Sequence, residues 1–120
     1  MGVRNWTLIS EPVQMFIFEG KYMIPLKNGQ IYLEVPDSFA NFSHDSAISF
    51  LYYNHTISLL ITGAISGEII VSNGEYDTGF NFNFSYNEHN CEIVSIIFTD
   101  EYIMSSDMCG YILQYDFYGQ

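Results

Sequence analysis

Phe80-Asn81-Phe82-Asn83-Phe84-Ser85-Tyr86 sets an aromatic at every second position, with Asn, Asn and Ser between them. Side chains alternate across a strand, so this stretch reads as a half-buried β-strand. Four aromatics line one face and the amides and hydroxyl line the other. No segment of the chain holds an amphipathic 3.6-residue pattern for three turns. Period-two runs recur instead, separated by turn residues.

Working outward, Val13 to Phe18 is a short apolar run closed by Gly20. Tyr22 to Leu26 and Ile31 to Val35 flank Lys27-Asn28-Gly29-Gln30, and Asn-Gly accepts the positive φ of a type I′ hairpin turn. Pro36 ends the second of these strands because it lacks a ladder N–H. Asp37 to Asp45 is polar and aromatic, a loop or one helical turn. Ser46 to Tyr53 and Thr56 to Thr62 are joined at Asn54-His55, and Ile57 to Ile61 has the apolar continuity of a central strand. Gly63 and Gly67 bracket a loop. Glu68 to Ser72 and Glu75 to Tyr86 surround a second Asn-Gly, Asn73-Gly74. Cys91 to Thr99 and Tyr111 to Tyr118 are the last strands, with a loop or helical turn at Asp100 to Gly110. The expected fold is all-β with at most one short helix: an antiparallel sandwich or barrel of about eight strands in a single domain, 1–120. The hairpins share spacing but not sequence, so no internal repeat is read.

Charge is the most unusual property. After Lys27 there is no lysine or arginine, and Asn28 to Gln120 carries twelve carboxylates. Arg4, Lys21 and Lys27 are the only bases, and the net charge is −11. An ordinary domain balances the two signs. With few salt bridges available, most carboxylates must face water or a cationic partner. Direct nucleic-acid binding is disfavoured, because neutralising phosphates needs Lys and Arg. No run approaches the ~20 apolar residues of a membrane span. The N-terminus lacks the regions of a signal peptide, so a cytoplasmic location is expected. On that footing the four Asn-x-Ser/Thr sequons are read as chance. Cys91 and Cys109 could pair or stay free, and two small packed thiols are the simpler reading in a cytoplasmic chain.

Few motifs carry chemistry. There is no Gly-rich phosphate loop, no G-x-S-x-G elbow and no H-E-x-x-H. His89-Asn90-Cys91 places an imidazole and a thiol on one face of an extended segment, too few ligands for a zinc site without distant help. It reads as a turn His beside a packed Cys. Cys–His nucleophilic catalysis would need a third residue to orient the base. His44-Asp45 has the residue types of a metal phosphohydrolase dyad without the further ligands. No catalytic residue, cofactor or metal is expected. Phe80, Phe82, Phe84, Phe98 and Phe117 are read as core. The candidate partner surface comprises Asp100, Glu101, Tyr102, Asp107 and Tyr111, with Glu75 and Asp77 as a second acidic cluster. Tyr115, Asp116 and Tyr118 add to this acidic, Tyr-rich C-terminal third. Tyrosine offers contact area at little entropic cost, and interfaces are enriched in it.

In size, acidity, single-domain organisation and lack of catalytic motifs, the chain resembles the small acidic bacterial immunity proteins of polymorphic and contact-dependent toxin systems. The resemblance is one of type over the whole chain, and it carries no residue roles across. It implies stoichiometric inhibition of a cognate basic, nuclease-type toxin. A phage-encoded inhibitor of a defence nuclease would look the same in sequence. A carbohydrate- or small-ligand-binding β-module is the reading from a different class, with the Asn81 and Asn83 face as its feature.

Overall fold

Asn28-Gly29 does reverse the chain, but in a three-residue geometry. In the computed structural model, which describes residues 2, 7–8, 10–75 and 79–116, the Gly29 N–H donates to the Leu26 carbonyl at 3.1 Å and the Leu26 N–H to the Gln30 carbonyl at 2.9 Å. Gly29 alone in this turn has positive φ, at 92°. That is a turn closed by a left-handed glycine, not a two-residue type I′ turn. The same pair of hydrogen bonds recurs at Ala64–Gly67–Glu68 and at Asp107–Gly110–Tyr111, with Gly67 at φ 97° and Gly110 at φ 88°.

Each of these turns joins the second and third strands of an antiparallel meander. The first sheet runs β1 (Phe16–Phe18), β2 (Lys21–Pro25), β3 (Ile31–Leu33) and β4 (Ser38–Phe39). The second runs β5 (Ile48–Asn54), β6 (Leu59–Ala64), β7 (Ile69–Glu75) and β8 (Gly79–Tyr86). The third runs β9 (Ile93–Phe98), β10 (Tyr102–Asp107) and β11 (Ile112–Asp116). Within each sheet the strands are neighbours in chain order. The chain is therefore all-β, and no helix occurs among the described residues.

The three sheets stack face to face. Period-two alternation sends Leu60 into a cluster with Met23, Ile31 and Leu33 of the first sheet. Its neighbour Ile61 enters a cluster with Ile93, Ile96 and Ile103 of the third. Burial on both faces makes β6 buried at all six positions, as the apolar run through Leu59–Ile61 implied, whereas Ile57 and Ser58 belong to the preceding turn and Gly63, expected to open a loop, lies in the strand. The first strands of successive sheets lie side by side: Phe18 packs on Tyr53 at 5.1 Å, and Tyr52 on Phe98 at 6.2 Å. Repeated meanders stacked in this way, here of four, four and three described strands, have the arrangement of propeller blades.

An internal repeat of roughly 40 residues is thus present, where the sequence reading found none. Lys27, Ile65 and Met108 each donate their N–H to the chain that enters their own sheet, at Glu11, Ala47 and Glu92. The repeat is carried by backbone geometry and by apolar positions of differing identity, so it leaves little trace in the residues.

Three other expectations are corrected. The aromatics of Phe80–Tyr86 do not share a face. A register shift between Val71 and Ser72 in the β7–β8 ladder breaks the period-two alternation. Phe80 packs toward the first sheet, Phe84 and Tyr86 toward the third, and Phe82 is exposed. Asn73-Gly74 is not a turn; both lie in β7, with Gly74 opposite Phe80. Asp100 to Gly110 is mostly strand β10, not a loop. The expected antiparallel sandwich is present as stacked open sheets rather than a barrel, with eleven described strands in place of about eight. Phe117 and Tyr118 lie outside the described residues.

Gly74 has φ 143°, and a side chain there would run into the Gly79 carbonyl oxygen of β8. Gly74→Val is therefore expected to destabilise by more than ~1 kcal/mol, since a bulky residue resists positive φ and meets backbone as well. A thermal melt indistinguishable from the parent would refute this contact.

Candidate functional site

His44 and His89 occupy the same place in successive repeats, in the loop just before β5 and β9. Each is enclosed where one sheet meets the next, at 3% and 1% exposure. Gly29 lies against the His44 carbonyl and Gly67 against the His89 carbonyl, closer than any side chain would allow. The His44 N–H also donates to the Gly29 carbonyl at 2.9 Å.

The two imidazoles have matching partners. His44 Nδ1 lies 2.8 Å from Glu68 Oε1, and its Nε2 lies 2.7 Å from Thr62 Oγ1. His89 Nδ1 lies 2.8 Å from Asp107 Oδ2, and its Nε2 lies 2.7 Å from Ser105 Oγ. A carboxylate only accepts, so Nδ1–H donates to it; the neutral ring's Nε2 then accepts the hydroxyl proton. Thr62 and Ser105 are equivalent positions of β6 and β10. The first sheet has the apolar version: Leu8 packs on Ile24, Leu26 and Tyr32 where the other sheets have a polar pair.

Ser105–His89–Asp107 has the connectivity of a nucleophile, a base and its orienting carboxylate. Its surroundings give it another use. Ser105 is 2% exposed, so its hydroxyl meets protein rather than substrate. The twin network carries Thr in its place, and the first sheet dispenses with both groups. These are joints between sheets, made of buried polar groups that satisfy one another.

Burial pushes the His44 imidazole down, and the Glu68 carboxylate only partly opposes this. Burial pushes the Asp107 carboxyl up, but hydrogen bonds from His89 and from the Tyr111 and Cys109 N–H groups outweigh it and hold it below the usual range.

Cys91 and Cys109 form a disulfide, the alternative that the sequence left open beside two packed thiols. It ties the chain just after His89 to the β10–β11 turn. The sulfurs and an Asp107 oxygen lie within 4.8 Å of one another. Joined sulfurs are not thiolate ligands, and Asp107 already accepts from three N–H donors.

The sequence-chosen acidic residues fall at two opposite ends. Asp100 and Glu101 form the β9–β10 turn, both exposed, with Thr99 Oγ1 accepting the Glu101 and Tyr102 N–H groups at 3.2 Å. Glu75 ends β7 beside Ser58, at 3.1 Å, and Asp77 lies outside the described residues. Glu19 and Asp37 occupy the β1–β2 and β3–β4 turns. Antiparallel alternation places all of these turns at one end of the stack. His55 there contacts Glu19 at 3.4 Å and Glu75 at 3.9 Å. Tyr102 begins β10 at the same end.

Asp107 and Tyr111 sit at the other end, about 20 Å along β10. Asp107 is 6% exposed and belongs to the His89 network, so it is not a surface carboxylate. Tyr111 meets the His89 ring edge-on at 5.7 Å. Sequence reasoning missed both histidine networks. The available signal was the repeated order of His, hydroxyl residue and acid, at spacings that differ between the two copies.

No family model and no curated protein matches the chain. Among solved structures it is similar to the computationally designed Ika4 protein, at TM-score 0.64 and 19% identity, over 85% of this chain and 63% of that one. It is also similar to the computationally designed Ika8 protein, at TM-score 0.66 and 19% identity, over 85% of this chain and 32% of that one. The chain thus spans less than two thirds of either. These likenesses concern the fold alone.

Three outcomes follow from the joints. Thr62→Val leaves His44 Nε2 buried without a donor and should cost about 2 kcal/mol, read from the urea midpoint. The lowered His44 value means the unfolded chain binds more protons below the ordinary histidine value of about 6.5. The stability from neutral His44 is complete above that pH and is lost as pH falls through it. The denaturation midpoint should drop between pH 7.5 and 5.5, and the apolar pair His44→Leu with Thr62→Val should flatten that slope. Reducing Cys91–Cys109 should lower stability by about 3 kcal/mol, seen as a fall in melting temperature with reductant that Cys91→Ser no longer shows.

Proposed function

We propose that this chain is a non-catalytic protein-binding module that captures a basic protein partner with the acidic end of its sheet stack. The observation that carries the reading is the gathering of Glu19, Asp37, Glu75, Asp100 and Glu101 at that end, in a chain with no lysine or arginine after Lys27. Turns at a stack end are free to vary while the joints at the opposite end hold the sheets. Carboxylates of one sign on such a surface steer a cationic partner and set its register.

The specific form we favour is an immunity-type inhibitor: a cytoplasmic chain that binds a basic, nuclease-type toxin one to one and covers its substrate surface. Net charge −11 suits competition with nucleic acid for a basic cleft. The Cys91–Cys109 disulfide weighs against the location, because such bonds persist mainly in oxidising compartments. Gel mobility of alkylated protein from its own cell, with and without reductant, decides that point.

Glu75, Asp100 and Glu101 are exposed or half-exposed and lie outside the joints, so neutralising all three leaves the fold intact. Binding to the basic partner should weaken at least tenfold, chiefly through a slower on-rate, and the parent's on-rate should fall as salt rises. Stopped-flow association over a salt series, with thermal melts of both proteins, measures this. An on-rate indifferent to salt together with full affinity in the triple variant would rule the acidic end out.

A further inference from the structure

Each sheet ties its entering chain to the turn between its second and third strands, and the chemistry of that tie changes in the third sheet. Glu11, Ala47 and Glu92 accept the N–H groups of Lys27, Ile65 and Met108. The residues just before those acceptors are Ser10, Ser46 and Cys91, and the residues just after those donors are Asn28, Ser66 and Cys109. In the first two sheets the serine accepts the turn N–H, from Asn28 to Ser10 Oγ at 3.0 Å and from Ser66 to Ser46 Oγ at 3.1 Å. In the third, Asp107 Oδ1 accepts the Cys109 N–H instead, at 2.9 Å. A hydrogen bond is thus enough for this contact, and the third sheet adds two sulfurs that the contact does not need.

Those sulfurs and an Asp107 oxygen lie within 4.8 Å of one another. The His89 ring and the Cys109 and Tyr111 N–H groups all donate to this carboxylate. A carboxylate offers about four lone-pair sites, so one is left. Outer hydrogen bonds of this kind orient carboxylates that ligate metals. A hollow of about 320 Å³ opens over the group, lined also by Glu88 and Asn90, with room for an ion and a water. Cys91 is half-buried and Cys109 exposed, so a dissolved reductant reaches the bond. The third sheet has no lysine or arginine to offset these acids.

We infer that reduction converts this covalent tie into a zinc site, with Cys91 Sγ, Cys109 Sγ and Asp107 as three ligands and water as the fourth. A dithiol gives two electrons and two protons to the Cys91–Cys109 bond and becomes a disulfide itself. The two new thiols release their protons to solvent as the ion binds. Two thiolates with one carboxylate suit zinc better than magnesium or calcium. Zinc–sulfur bonds of about 2.3 Å in tetrahedral geometry need sulfurs about 3.8 Å apart. Cα atoms 6.2 Å apart allow that separation by side-chain rotation. The ion then holds the entering chain on the turn in a reducing compartment, where disulfides are rare.

The whole chain, either oxidised or reduced with a dithiol and desalted without oxygen, is titrated with zinc against a chromophoric chelator. The reduced chain should bind one zinc per chain, at least ~100-fold more tightly than the oxidised chain. X-ray absorption should show two sulfurs per ion with oxygen completing the shell. Zinc should also raise the melting temperature of the reduced chain. Cys109→Ser, at an exposed position, should lose this rise, and Cys91→Ser replaces it if circular dichroism shows misfolding. Asp107→Asn keeps an acceptor for both turn N–H groups and should bind zinc at least ~10-fold more weakly. Equal affinity in the two redox states overturns the proposal, as does a reduced chain that binds no zinc. Half a zinc per chain with four sulfurs overturns it too, since that ion bridges two copies. Unchanged affinity in Asp107→Asn overturns the assigned shell.

Discussion

The joint between neighbouring sheets is the constraint on which the rest of this molecule depends. At Gly29 and Gly67 the turn of one sheet presses on the carbonyl of His44 or His89 in the loop that opens the next. A Cβ at either glycine would have to displace backbone, so the joint fixes sheet spacing and orientation together. Every buried polar group brought to that spot then needs a partner within the same small volume. The histidine bridges the demand by reaching a hydroxyl on one side and a carboxylate on the other. Its backbone meanwhile contacts the previous turn.

That division of labour separates the two ends of the stack. One end is occupied by joints: of its acids, Glu68 and Asp107 are partners of buried rings, whereas Glu11, Asp45, Glu88 and Glu92 are exposed. The opposite end holds the remaining hairpin turns, where side chains answer mainly to solvent. An acidic, base-poor sequence costs least there, because carboxylates on turns keep their hydration and lie far from one another's strands. The first sheet shows that the joint's polar content is negotiable: Leu8 and Ile24 fill with hydrocarbon what the other sheets fill with a histidine and a hydroxyl. The negotiable part is chemistry, whereas the close glycine contact at the joints is geometric.

Much of the strand content was legible in the residues. Ile57 to Ile61 read as a central strand because it is apolar on consecutive positions, and β6 is buried on both faces. The Asn28-Gly29 reversal was legible because glycine supplies the left-handed residue that the turn needs. Asn73-Gly74 carried the same letters and is strand, because Gly74 serves close approach between β7 and β8 rather than a turn. The Phe80–Tyr86 pattern was legible as strand but not as face, since a bulge is set by the partner strand's register. Asp100 and Glu101 were found as exposed acids by their turn context, while Asp107 was misplaced among them.

The sequence by itself determined that this chain is β throughout, that it reverses at glycine-bearing turns, and that its surface is almost devoid of fixed positive charge. Those properties are local: alternation, turn chemistry and composition act within a few residues. Only the tertiary structure decided that the meanders repeat, that His44 and His89 are equivalent, that Cys91 and Cys109 are bonded, and that Asp107 points inward. The two histidine networks and the disulfide each depend on residues 16 to 24 apart being brought within bonding distance. The sheets are held together by contacts whose chemistry varies from one joint to the next, so no fixed motif marks them along the chain.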